Sequence, residues 1–184
     1  MSGSVDASLG RRRLLGLALA AGCGLLLPPA RPASAQSAAR RLAFHSIHTG
    51  ERLRATYWES GRYLPDSLRE IDFILRDFRT GDVRTIDPAL LDLLHEVCRT
   101  MDYDDPISVI SGYRCPATNA MLAARSAGVA WNSFHLRGMA IDIRLPGRRL
   151  ASVRDAAIVL GRGGVGYYPG SDFVHVDTGP VRRW

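Results

Sequence analysis

Apolar residues recur at helical spacing in four stretches of the chain. Ser67 to Arg79 carries Leu68, Ile71, Ile74, Leu75 and Phe78 on one face, and Thr80-Gly81-Asp82 ends the pattern. A second helix is predicted from Asp87, a good N-cap with Pro88 at the first helical position, through Leu90, Leu91, Leu94 and Val97. Ala117 to Ser126, stopped by Gly128, and Leu150 to Leu160 give the third and fourth. Strand-like stretches fill Leu42 to Trp58 around a turn at His48-Thr49-Gly50-Glu51, where glycine makes positive φ cheap. Further strands are predicted at Ile107–Ile110, Met139–Leu145, Val165–Tyr168 and Phe173–Asp177, with a glycine-rich turn over Gly161–Gly164. Helices and strands interleave without strict alternation. The expected fold class is therefore α+β, a small, largely antiparallel sheet flanked by helices. Residues 36–41 read as a short linker before it.

Strand parity sorts the polar residues. Met139, Ile141 and Ile143 share one face of their strand, which leaves Ala140 and Asp142 on the other. Val174 and Val176 likewise oppose Phe173, His175 and Asp177. If the two strands are neighbours, Asp142 and His175 project from the same side. His135, seven residues before Asp142 across a loop containing Gly138, can fold back over that side. Two imidazoles and a carboxylate suit one Zn²⁺ and leave a fourth position for water, as catalytic zinc sites do. On spacing alone, unrelated polar residues at strand edges explain His135 and His175 equally well. A structural zinc site would want four protein ligands, and Cys98 and Cys115 have no such spacing.

The N-terminus changes how the composition is read. Arg11-Arg12-Arg13 precedes an apolar run from Leu14 to Leu27, and Ala33-Ser34-Ala35 follows. This is the layout of an export signal over residues 1–35, and the arginines before two leucines give it a twin-arginine character. The 14-residue run is short of the roughly 20 residues that span a bilayer. An ordinary secretory signal shares the layout, and lipidation at Cys23 is a further option less compatible with Leu25–Leu27 beyond it. The whole chain of 184 residues carries +6, with 24 arginines, no lysine and a pI near 9.8. Cleavage after Ala35 removes four arginines and one aspartate and leaves +3. That excess is too small, and too scattered, to indicate a nucleic-acid partner. The absence of lysine excludes phosphate loops, pyridoxal Schiff bases and Ser-Lys hydrolases. In an oxidising periplasm Cys98 and Cys115 either pair or remain two buried thiols.

Ser133-x-His135-x-x-Gly138-x-Ala140-x-Asp142 with the downstream His175 resembles the signature of the zinc D-Ala-D-Ala carboxypeptidase/dipeptidase superfamily, peptidase family M15. Ser111-Gly112-Tyr113-Arg114, Pro116-Ala117-Thr118-Asn119, Gly164-Val165-Gly166-Tyr167-Tyr168-Pro169 and Phe173-Val174-His175-Val176-Asp177-Thr178-Gly179 resemble its YcbK-like branch more closely. The resemblance covers nearly all of residues 42–184. It implies the carboxypeptidase/hedgehog-like zinc fold and hydrolysis of amide bonds in peptidoglycan, as an endopeptidase acting on stem peptides or crosslinks. A D-Ala-D-Ala dipeptidase or carboxypeptidase, and an inactive zinc-containing wall-binding module, are the alternatives. By position, His135, Asp142 and His175 match the zinc ligands, and Arg114 matches an arginine near the substrate, with an ion pair to Asp142 as its structural alternative. Ser133, Tyr113 and Tyr168 are candidate substrate contacts, Ser133 equally a loop cap. Where many members carry a glutamate three residues before the last histidine, this chain has Asp172; Asp177, on the same strand face as His175, competes with it as general base. His45 and His48 read as hairpin residues or a second metal site, His95 as a packing residue, and Tyr167 as lining the groove or packing the sheet. A monomer without a membrane span after cleavage is expected.

Overall fold

The run from Arg40 folds back on itself at the glycine turn and pairs antiparallel as β1 (Arg40–Ser46) and β2 (Arg52–Glu59). Gly50 has φ 75°, and its N–H donates to the Ser46 carbonyl at 2.9 Å. The structure, a computed structural model, describes residues 39–126 and 128–184. The predicted export signal with Cys23, and residues 36–38 of the predicted linker, lie outside them. Strand β1 begins within the stretch read as a linker, because Arg40 and Arg41 already pair with Trp58 and Thr56.

After the two-residue β3 (Arg62–Tyr63) come α1 (Pro65–Ile74), α2 (Pro88–Thr100), β4 (Ile107–Ser111) and α3 (Pro116–Arg125). All three helices open on proline, whose missing N–H costs nothing in the first turn. Asp87 caps α2 as expected, accepting from the Ala89 N–H at 2.9 Å. The chain closes with β5 (Ala140–Arg144), α4 (Leu150–Leu160), β6 (Gly164–Tyr168), β7 (Phe173–Asp177) and β8 (Arg182–Arg183). Helix α1 is shorter than its apolar spacing predicts. The Leu75 carbonyl accepts from the Tyr113 N–H at 2.8 Å, and the Asp77 carboxylate from the Arg79 and Cys115 N–H groups. Those tertiary bonds draw the chain out of the helix after Ile74.

The eight strands form one sheet in the order β3-β2-β1-β4-β5-β7-β6-β8. Only β1–β4 and β6–β8 are parallel, so the α+β, largely antiparallel expectation holds. Helix α2 packs on β1 and on α4, and α4 on β6 and β7. Phe44, Tyr57, Leu90, Leu91, Leu94, Ile141, Ile143, Val153, Val174 and Val176 form the core and are all fully buried. Tyr57 reaches polar partners from inside it: its hydroxyl bonds to Leu91 O and Asp92 Oδ1, and Asp92 also takes Tyr63 and Arg40. Among the described residues no helix is long and apolar enough to cross a membrane.

Gly138 anchors the loop before β5. It has φ 68°, and an added Cβ would lie 2.3 Å from the Thr85 carbonyl oxygen. Gly147 has φ 77° and open space around it. Gly147→Ala is expected to cost about 1 kcal/mol, the conformational penalty alone. Gly138→Ala adds a backbone clash and is expected to cost at least about 2 kcal/mol more, read as the difference between the two urea denaturation midpoints.

Candidate metal centre

Burial of Ile141, Ile143, Val174 and Val176 against the helices leaves the opposite parity of β5 and β7 facing away from the core. Asp142 and His175 stand directly opposite each other in the ladder, and Ala140 opposite Asp177. His135 comes from a short 3-10 turn, Phe134–Arg137, which Ser133 caps through its hydroxyl on the His135 N–H at 3.3 Å and Gly138 ends. The His135 carbonyl accepts from the Arg114 N–H at 3.2 Å, tying this turn to the segment after β4.

Three atoms converge. His135 Nε2 lies 3.2 Å from Asp142 Oδ1 and 3.2 Å from His175 Nδ1, and His175 Nδ1 lies 2.8 Å from Asp142 Oδ1. The far side of each imidazole fixes its tautomer. His135 Nδ1 donates to the Gly112 carbonyl at 2.7 Å, and His175 Nε2 donates to Asp177 Oδ2 at 2.9 Å. In their neutral forms the rings therefore turn unprotonated nitrogens toward one another and toward a carboxylate. Three acceptors at this spacing are favourable only around a shared proton or cation. Tetrahedral zinc bonds of about 2.0–2.1 Å would set ligand atoms roughly 3.3 Å apart, close to the spacing present. Among the described residues this is the one group of three such side chains that could hold a metal ion, and all three members are buried. His45 and His48 build no comparable group; His48 stacks on Phe78 at 3.9 Å and bonds to Ile110 O.

The electrostatics suit a cation. Burial would raise the Asp142 carboxyl, but His135, His175 and Arg114 hold it well below the usual carboxylate range. Burial lowers His135 and favours its neutral, ligating form. It acts the same way on His175, yet the hydrogen bonds to Asp142 and Asp177 outweigh it and raise the imidazole. Arg114 pairs with Asp142 Oδ2 and donates from Nε to Ser111 Oγ at 2.8 Å. It thus makes the ion pair considered for it and also lines the cavity over the cluster, which encloses about 700 Å³.

The two carboxylates expected near the reacting water are placed otherwise. Asp177 is fully buried behind His175 and accepts five bonds, from His175 Nε2, the Gly164 and Gly179 N–H groups and both terminal nitrogens of Arg182. Burial opposes its ionisation, but these donors hold it well below the usual range. Its lone pairs are taken up by these donors, His175 among them, and it does not line the cavity. Asp172 ends a 3-10 turn with φ 54°, and its exposed carboxylate pairs with Arg144. The cap turns it outward, so it does not line the cavity. Tyr113, expected at the substrate, is instead packed in the apolar core, because its N–H must meet Leu75. Tyr168 and Ser133 do line the cavity. Tyr167 packs beneath Arg154, and His95 is half-buried beside Tyr57. Cys98 and Cys115 are separate buried thiols, the first pushed up to about 12 by burial and the second capping α3. Trp184, Arg182 and Phe134 also line the cavity. Sequence reasoning missed them, and the only available signal was the arginine–tryptophan ending after Gly179.

The family model described as "Peptidoglycan L,D-endopeptidase MepK" matches residues 34–184. The peptidoglycan L,D-endopeptidase MepK of Escherichia coli K12 is 40% identical over 175 residues, which is 95% of this chain and 96% of that protein. The Shigella flexneri protein of the same name shows the same identity and coverage. A Haemophilus influenzae protein named probable peptidoglycan L,D-endopeptidase MepK is 44% identical over 146 residues, 79% of this chain and 78% of the relative. On this similarity across nearly its whole length, the chain belongs to peptidase family M15, in the branch described as peptidoglycan L,D-endopeptidase MepK.

Proposed function

We propose that this chain is an exported, zinc-dependent peptidoglycan endopeptidase that hydrolyses an L,D amide bond in stem peptides or their crosslinks. One observation carries the reading: His135 Nε2, Asp142 Oδ1 and His175 Nδ1 converge as acceptors while the other nitrogen of each ring is committed to a protein acceptor. The names of the relatives support the substrate and the bond. The signal-like residues 1–35 support action in the periplasm through a twin-arginine route, and a monomer is the expected form.

In this reading His135, Asp142 and His175 hold one zinc ion, and Asp177 and the Gly112 carbonyl orient the two imidazoles toward it. Zinc, when bound, supplies a Lewis acid and makes water nucleophilic near neutral pH. Arg114 keeps Asp142 ionised and retains donors for a scissile carbonyl or a substrate carboxylate, since Ser111 and Asp142 engage only part of its fork. Tyr168 and Ser133 contact the peptide along the cavity wall. Asp172 pairs with Arg144 outside the cavity lining and takes no proton from the reacting water.

A second reading, a metal-loaded wall-binding module without turnover, is favoured by one fact. Asp142 is the sole acidic side chain among the described residues that line the cavity.

Incubating the exported chain with isolated sacculi and zinc, then resolving the released muropeptides by mass, decides between them. Cleavage at an L,D amide that a chelator abolishes and zinc restores is expected. Sedimentation with sacculi and no new product under any metal would establish the second reading instead. Asp177→Asn is expected to weaken zinc binding by about 10- to 100-fold in a chelator competition, with the fold intact by circular dichroism. Asp172→Asn is expected to leave zinc affinity and turnover within a few-fold; a general base would cost about a hundredfold or more, and a loss of that size would return the proton to Asp172.

A further inference from the structure

One wall of the cavity is aromatic, and its parts are braced against one another. The Trp184 main-chain N–H donates to the Val165 carbonyl at 3.2 Å, and the Trp184 main-chain oxygen accepts from the Tyr167 N–H at 3.0 Å, which fixes its backbone along β6. The indole faces His175 with ring centres 5.3 Å apart, and its Nε1–H donates to the Tyr168 hydroxyl oxygen at 2.7 Å. Arg182 lies 4.9 Å from the centre of the indole and is the same guanidinium that pairs with Asp177. Tyr168 is held from its other side by stacking on Phe173, with ring centres 4.6 Å apart and planes within 19°.

Space for this wall depends on an absent side chain. Gly166 stands opposite His175 in the β6–β7 ladder, and a Cβ there would lie 2.7 Å from the Trp184 ring and 2.8 Å from the Tyr168 ring. The indole therefore occupies the volume that a residue at position 166 would fill.

An indole N–H can only donate, so the Tyr168 oxygen in this pair can only accept. Its own proton is left to give, and the ring lies on the wall of the cavity that contains His135, Asp142 and His175. We propose that Trp184 is a positioning residue that makes Tyr168 a dedicated hydrogen-bond donor to a carbonyl oxygen of the bound peptide. The proposal rests on the reading of this cavity as a peptide-hydrolysing site. A peptide carbonyl accepts and cannot donate, so a hydroxyl that already accepts from the indole favours it over an N–H at the same position.

The test compares Trp184→Phe, which keeps a ring and removes the donor, with Tyr168→Phe and the double variant. Each is measured for kcat/KM on soluble muropeptides, for zinc affinity, for melting temperature, and for binding of a soluble stem peptide to zinc-stripped protein by calorimetry. Each single variant is expected to lose about 5- to 10-fold in kcat/KM and in peptide affinity, the value of one hydrogen bond. The double variant is expected to lose no more than Tyr168→Phe alone, with zinc affinity and melting temperature unchanged. Additive losses, or a fall in zinc affinity in Trp184→Phe, would mean that the indole merely supports His175, and would overturn the proposal. Parent-like behaviour of Tyr168→Phe would overturn it as well. If the parent binds the peptide with this pattern but cleaves nothing, the hydrolase reading fails and the donor assignment stands.

Discussion

The register between β5 and β7 is the constraint on which the rest of the site depends. Side chains alternate across a strand, so sliding one strand by a single residue would exchange its faces. Ile141 and Ile143 on one strand, and Val174 and Val176 on the other, are fully buried and fix that register by what they lose in water. Asp142, His175 and Asp177 are then delivered to the opposite face without any local interaction having to choose it. The apolar pattern of two five-residue strands thus determines which face Asp142, His175 and Asp177 share and which of them stand opposite one another.

Placing two carboxylates in a buried cluster is costly unless each is surrounded by donors. Asp142 has two imidazoles and Arg114, and Asp177 has an imidazole, two backbone N–H groups and Arg182. Both cations are arginines, as is every basic side chain of the chain except histidine. A planar guanidinium can hold one partner through Nε and another through a terminal nitrogen, as Arg114 holds Ser111 and Asp142. A lysine ammonium offers no such fixed fork. The same geometry places Arg182 between Asp177 and two aromatic rings, Phe134 and Trp184.

What the sequence reveals follows from how local its causes are. The parity of β5 and β7, the proline starts of α2 and its Asp87 cap, and the span of α4 are all written within a few residues, and each is found where the pattern puts it. His135 lies in a short 3-10 turn, where no strand or helix periodicity operates; spacing left it a candidate ligand or an unrelated polar residue, and family resemblance favoured the first. Strands β3 and β8, at two residues each, are too short to carry a pattern. The early end of α1, the burial of Tyr113 and the outward turn of Asp172 all depend on partners distant in sequence: Leu75 with Tyr113, and Asp172 with Arg144. Trp184 and Arg182 were illegible for the same reason, since their place in the cavity is set by pairing with β6.

The two imidazoles are steered by different kinds of atom. His175 answers to a side chain, Asp177, whereas His135 answers to the main-chain carbonyl of Gly112, packed so closely on Leu75 that a Cβ at Gly112 would fall 2.4 Å from the Leu75 oxygen. One imidazole is therefore tunable by a single codon change at its acceptor, while the other is hard-wired into the path of the chain. Re-aiming His175 has an open route through position 177, and re-aiming His135 a closed one through position 112. Any attempt to re-aim His135 must move the backbone between β4 and α3, and with it the arginine that the same segment carries.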